Sequence, residues 1–203
     1  VSSFAHKAGL HASALKVNPE LYNHIDPALV GGDQRVLVTE MAGRASVEMK
    51  SKELGYDIAG DAERVTHIVE TVKDLESKGW TFEAADASFE LILMSADESE
   101  SRFEVESWRT IVEQDASGDV RTEATVKVRA NGERMISTAE GNGPVNALDK
   151  ALRSAVTSLH PELEPLELID YKVRILEKSD PDTSGTASVT RVLVSTSDGK
   201  REW

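Results

Sequence analysis

The spacing of apolar residues changes once along this chain, and that change limits the folds open to it. Gly60-Asp61 opens a stretch in which Val65, Ile68, Val69, Val72 and Leu75 follow the three-and-four spacing of one apolar helix face. The stretch stops at Lys78-Gly79, a basic last turn followed by a C-terminal glycine. From about Ala87 the period becomes alternating, and strands are expected over Ser88–Met94, Phe103–Val112, Arg121–Arg129 and Arg134–Ala139. Asn131-Gly132 joins the last two as a tight hairpin, because both central positions of such a turn favour positive φ. Asn142-Gly143 and Pro144 then start a second helix with a stripe of Val145, Leu148, Ala151, Leu152, Ala155, Val156 and Leu159, ended by His160-Pro161.

After that helix the pattern begins again, with strands over Leu166–Leu176 and Ala187–Ser195 and a turn at Asp198-Gly199. Ser117-Gly118 and Asn131-Gly132 recur as Ser184-Gly185 and Asp198-Gly199, at the same interval in both copies. This marks a duplicated β-β-β-α unit, although the strand registers between the markers agree only with a one-residue shift. The second copy reaches Trp203 just past its hairpin turn, so it is expected to be truncated.

Composition narrows the classes of function. The chain has 203 residues, 39% hydrophobic and 29% charged, as in an ordinary globular protein with room for one large domain or two small ones. A net charge of -13 with scattered basic residues argues against a nucleic-acid surface. No apolar run approaches the eighteen residues or so that a membrane helix needs. The absence of cysteine excludes disulfides and thiolate chemistry and fits a reducing cytoplasm. Val1-Ser2-Ser3-Phe4 has neither an initiator Met nor a signal-peptide pattern, and reads as a cut in a longer chain.

The expected organisation has three parts. Residues 1–54 form a Gly-, His-, Asn- and Pro-rich linker with a short helix over Ala45–Leu54. Residues 55–85 form a helical linker, and residues 86–203 a β-rich domain. The fold class is α+β, helical subdomains followed by the duplicated unit.

Two stretches suggest chemistry. Glu140-Gly141-Asn142-Gly143-Pro144 lies between a strand and a helix N-terminus, where backbone amides and the helix dipole favour an anionic group such as an amino-acid carboxylate. The alternative is a turn that needs glycine for its backbone angles alone. At the N-terminus, His6, Gly9, His11, Asn18, Tyr22, His24 and Asp26 fall close together. Their spacing matches no common zinc pattern, so no metal site is expected. A histidine in a glycine-flanked turn suits acid/base work near neutral pH, or it satisfies loop backbone groups. Asp86, Glu90, Glu104 and Glu106 read as solvated faces without chemistry.

These blocks resemble a known family. Phe4-Ala5-His6-Lys7-Ala8-Gly9-Leu10-His11-Ala12-Ser13-Ala14, Asn18-Pro19-Glu20-Leu21-Tyr22, His24-Ile25-Asp26-Pro27, Leu37-Val38-Thr39-Glu40-Met41-Ala42-Gly43-Arg44 and the run from Trp80 to Leu91 are similar to the post-barrel region of the citramalate and 2-isopropylmalate synthase family. Gly141-Asn142-Gly143-Pro144-Val145-Asn146-Ala147 resembles a loop of that family's regulatory domain. The resemblance implies a homodimeric, cytoplasmic acyltransferase that joins acetyl-CoA to a 2-oxo acid, pyruvate in the citramalate branch. Its catalytic (β/α)8 barrel, which carries a divalent metal, is absent from this chain, and no cofactor is expected here.

By the same resemblance, the post-barrel segment enters the partner subunit's active site. His11 would assist proton transfer at the acetyl thioester, with Asn18 and Tyr22 helping; the spacing to Tyr22 varies among branches. Gly141, Asn142, Gly143, Pro144, Val145 and Asn146 would lie beside the end-product amino acid, isoleucine or leucine. Two other readings stay open: a 2-isopropylmalate synthase regulatory region, and a stand-alone amino-acid-sensing dimerisation module.

Overall fold

The computed structural model describes residues 5–6, 14, 17–18, 25, 27–31, 35–36, 38, 43–95, 103–130, 132–176 and 185–203. The chain divides into two compact units. One takes the described residues within Val1–Ser99 and Asp170–Ser195 together with Trp203, the other those within Glu100–Ile169 and Thr196–Glu202.

In the first unit, strands β1 (Ala5–His6) and β2 (Arg35–Val36) pair in parallel. Three helices follow: α1 (Arg44–Glu53), α2 (Ala62–Ser77) and α3 (Asp86–Ser95). Helix α2 begins where Asp61 Oδ1 accepts the Arg64 amide at 3.0 Å, an N-cap that satisfies one of the first-turn N–H groups. The face expected from spacing is the buried one, with Val65, Ile68 and Val72 inside and Val69 and Leu75 half-buried. They share a core with Val38, Val47, Ile58, Phe82, Phe89 and Leu93. The rings of Phe82 and Phe89 meet edge to face at 6.4 Å.

Residues 88–94, expected as a strand, lie instead in helix α3. A short apolar run such as Leu91-Ile92-Leu93-Met94 has no period of its own to separate strand from helix. What decides is burial: Phe89 and Leu93, one helical turn apart, are the two side chains that fill the core. The β-rich part therefore starts at Glu104 rather than near Ala87. Polar ties hold the helices together. Lys50, 6% exposed, reaches Glu53 at 3.0 Å and Asp86 at 2.8 Å, and the Tyr56 hydroxyl contacts Glu90 at 3.1 Å. Asp86 and Glu90 thus anchor α3 to the region before it, from a helix rather than the strand expected of them, and Asp86 stays exposed as expected.

In the second unit, β3 (Glu104–Gln114), β4 (Val120–Ala130) and β5 (Glu133–Gly141) form an antiparallel sheet in that order. Asn131 lies outside the described residues, but Ala130 pairs with Glu133 and Gly132 has φ 80°, as the hairpin requires. Helix α4 (Pro144–Val156) packs on β4 and β5. Its Ala147, Ala151 and Ala155, at intervals of four, meet Ala124, Val126 and Val128. Small residues on both sides let helix and sheet approach closely. The helix ends at Val156, one turn before His160, and Pro161 opens a short 3-10 turn, Pro161–Leu163.

Strands β6 (Glu167–Ile175) and β7 (Thr190–Ser197) pair in a separate two-stranded sheet. Gly118, Gly132, Gly185 and Gly199, the expected repeat markers, all have positive φ. Ser197, the last residue of β7, also forms an isolated antiparallel bridge with Glu202. The architecture is α+β, and the described residues form no (β/α)8 barrel.

Candidate functional site

The loop Gly141–Asn146 is built by the turn from β5 into α4. Gly141 pairs with Thr122 at the end of β5, and the chain then doubles back so that α4 lies on the sheet. That return brings backbone against backbone. A Cβ at Gly141 would sit 2.5 Å from the Ala147 amide nitrogen and 2.8 Å from Asn146 Oδ1, so no side chain fits. The glycine is demanded by space, in addition to any demand of the turn.

Asn146 Oδ1 accepts the Asn142 amide at 3.2 Å, which closes the loop on itself. Lys150 Nζ donates to the Glu140 carbonyl at 3.2 Å from the next helical turn. Gly143 is the N-cap in extended geometry and offers no side-chain cap; Ala147 N–H makes the first helical bond, to Gly143 O at 3.0 Å. Pro144 has no amide proton, and Val145 and Asn146 precede the first helical bond, so their N–H groups have no acceptor within the helix. The loop thus presents two amides at the positive end of the helix dipole.

The N-terminal trio is a different case. His11 and Tyr22 lie outside the described residues. Asn18 is exposed, with its backbone N–H donating to Ala14 O at 2.9 Å. No geometry that links the three side chains is described. Among the described residues, no group of three His, Cys, Asp or Glu could hold a metal ion, and no helix is long and apolar enough to cross a membrane.

Glu106, read from sequence as solvated, has a defined place. The register of β3 slips between Val105 and Ser107, a bulge that re-aims Glu106. Its carboxylate meets Arg134 Nε at 2.6 Å and Arg129 Nη2 at 2.9 Å, tying all three strands. The Arg134 hydrogen bond, aided by Arg129, holds the Glu106 carboxyl below its usual range against the opposing effect of desolvation. The signal was present in the sequence as two arginines flanking the hairpin, at positions that turn out to pair across it. In two of the four turns that carry repeat markers, Asp115 is held low chiefly by the Ser117 hydroxyl and Asp198 chiefly by the Arg201 amide.

A three-stranded antiparallel sheet with one helix laid across it, followed in the chain by a separate two-stranded sheet, defines a small α+β domain that comes after a helical region in the sequence. The chain belongs to the LeuA allosteric (dimerisation) domain family, whose model matches residues 83–203. Residues 1–79 match the homocitrate synthase post-HMGL domain-like family. The whole chain is similar to the (R)-citramalate synthase of Streptomyces coelicolor, 61% identical over 207 residues, and to that of Aquifex aeolicus, 39% identical over 204. A 2-isopropylmalate synthase of Acetivibrio thermocellus is 30% identical over 190 residues, 92% of this chain and 35% of the relative. The chain spans 38% of the length of the two citramalate synthases.

Proposed function

We propose that this chain is the C-terminal, regulatory part of an (R)-citramalate synthase, a cytoplasmic homodimer that condenses acetyl-CoA with pyruvate and is inhibited by isoleucine. The observation that carries this reading is 61% identity along the entire chain to a protein of that name, joined to an allosteric-domain match over its β-rich part. Residues 1–54 and 55–85 would be the linker subdomains, and 86–203 the sensing and dimerising domain. Exposed apolar residues fit the dimerising role. Trp108, 65% exposed, and Val112 stand opposite Val126 and Thr122, and so extend the helix-bearing face of the sheet beyond α4.

The effector would lie beside Gly141, Asn142, Gly143, Pro144, Val145 and Asn146. The Val145 and Asn146 amides suit its carboxylate, while the packed Gly141 keeps the loop in one shape. His11 would act at the acetyl thioester in the partner's active site, with Asn18 and Tyr22 in support. In the complete enzyme, His11→Ala then lowers kcat by about 10²–10⁴-fold, the usual range for general acid–base groups. The divalent metal would be held by residues of the barrel.

Calorimetry with isoleucine and with leucine, on the wild-type chain and on Asn146→Ala, tests the sensor reading. Isoleucine heat that Asn146→Ala weakens supports it, and no heat with either amino acid sinks it. The second reading, a 2-isopropylmalate synthase, is favoured by the Acetivibrio relative and predicts leucine as the ligand. Assaying the complete enzyme with pyruvate against 2-oxoisovalerate separates the two.

A further inference from the structure

The two family matches meet between residues 79 and 83, and the structure places an unusual grip there. Helix α2 ends in a Schellman motif: the Gly79 amide donates to Glu76 O at 3.0 Å and the Trp80 amide to Leu75 O at 3.1 Å, with Gly79 at φ 103°. The carbonyls of Gly79 and Trp80 then point to one guanidinium. Arg191, on β7, donates through Nε to Gly79 O at 2.7 Å and through Nη2 to Trp80 O at 3.3 Å. Leu176, just past β6, closes on the same glycine: a Cβ there would stand 2.7 Å from Leu176 Cδ1. The Leu176 amide is bonded to Val189 O at 2.9 Å, so this contact is fixed to the β6–β7 pair.

The grip spans a cleft of about 310 Å³ bordered by Lys78, Trp80, Thr81, Ser88, Val189 and Leu193. Polar bonds across an open cleft separate at lower cost than a packed apolar contact, because water can replace them. Arg191 and Leu176 belong to the match with the allosteric domain, whereas Gly79 is the last residue of the post-HMGL-like match. We infer that Arg191 is a latch by which the β6–β7 pair of the allosteric domain holds the end of α2, and that effector occupancy reaches the helical region through it. The transmission half rests on the effector reading above; the latch itself rests on the geometry.

Two measurements separate those halves. In this chain, hydrogen exchange at the amides of residues 78–80 is expected to accelerate about five-fold in Arg191→Ala, the factor implied by one ordinary hydrogen bond, with the middle of α2 unchanged. Arg191→Lys, with a single ammonium in place of a fork, should fall between. In the complete synthase, Arg191→Ala should keep its basal kcat and its heat of isoleucine binding while the inhibitory concentration rises about ten-fold, within the usual span of allosteric coupling. Unchanged exchange at 78–80 overturns the latch. Inhibited wild type with an equally inhibited Arg191→Ala overturns the transmission alone, as does a variant that loses basal activity, binding and inhibition together, since that is ordinary unfolding. Wild type that neither isoleucine nor leucine inhibits overturns the effector reading and the transmission with it.

Discussion

The two hydrophobic clusters formed by the described residues are built from different sizes of side chain. The cluster around α1–α3 is filled by Phe82, Phe89, Ile68, Leu93 and several valines, whereas the one between α4 and its sheet is made largely of alanines and valines. The first is held by what its side chains fill, the second by how little they intervene between backbones. Removing atoms should therefore injure the first most, and adding atoms the second.

The largest expected effect tests the first half of that contrast. Phe89→Ala removes a ring that is 1% exposed and leaves a cavity beside Phe82 and Leu93, at a cost of about 3–5 kcal/mol. Hydrogen exchange of α2 amides reads the loss within its own unit, and α4 amides should barely respond. Equal loss in both places would mean that the two cores unfold as one. The second half is tested by Ala151→Leu, which pushes a larger side chain against Val126 and Val128 and should cost about 1–3 kcal/mol. Gly141→Ala belongs to the same class, since its new methyl meets the Ala147 backbone. If urea unfolding shows either variant at wild-type stability, the close-approach account of α4 fails.

How much of this was legible follows the same division. The face of α2 was readable because five apolar residues repeat at helical spacing over three turns, and β4 because Ala124, Val126, Val128 and Ala130 alternate without a break. Helix α3 was misread because its ten residues carry a run apolar on every side, and the choice was made by α2, whose face Phe89 and Leu93 complete. The loop Gly141–Asn146 was found from its glycines and proline, but the 2.5 Å approach that forbids a side chain at Gly141 depends on where α4 lands. Arg191 gave no signal at all, since its partners are 112 and 111 residues away.

A smaller effect sharpens the comparison at a helix end. Asp61→Ala removes the side-chain acceptor for the Arg64 amide and should cost about 1 kcal/mol, read as a lower melting midpoint for α2. The corresponding start of α4 has no side-chain cap to lose, so replacing Gly143 by Ser, which can cap, should move α4 the other way. A loss at both sites would show that the Gly143 backbone, rather than capping, sets the start of α4.

The smallest effect concerns pH and belongs to the sheet unit alone. Glu106 has a depressed pKa in the folded state, so its pairing with Arg134 and Arg129 stabilises the sheet above the ordinary glutamate range and is lost as pH falls through the folded value. Glu106→Gln removes that contribution at every pH. The difference in urea midpoint between wild type and Glu106→Gln should thus be present at neutral pH and close as the solution is acidified below the carboxylate range. Asp115, Asp170 and Asp198 are also held low, but they titrate in both proteins and cancel in the difference. High salt should shrink the gap at neutral pH, because the bridge is open to solvent. A gap that ignores both pH and salt would assign the role of Glu106 to the shape of the β3 bulge instead of its charge.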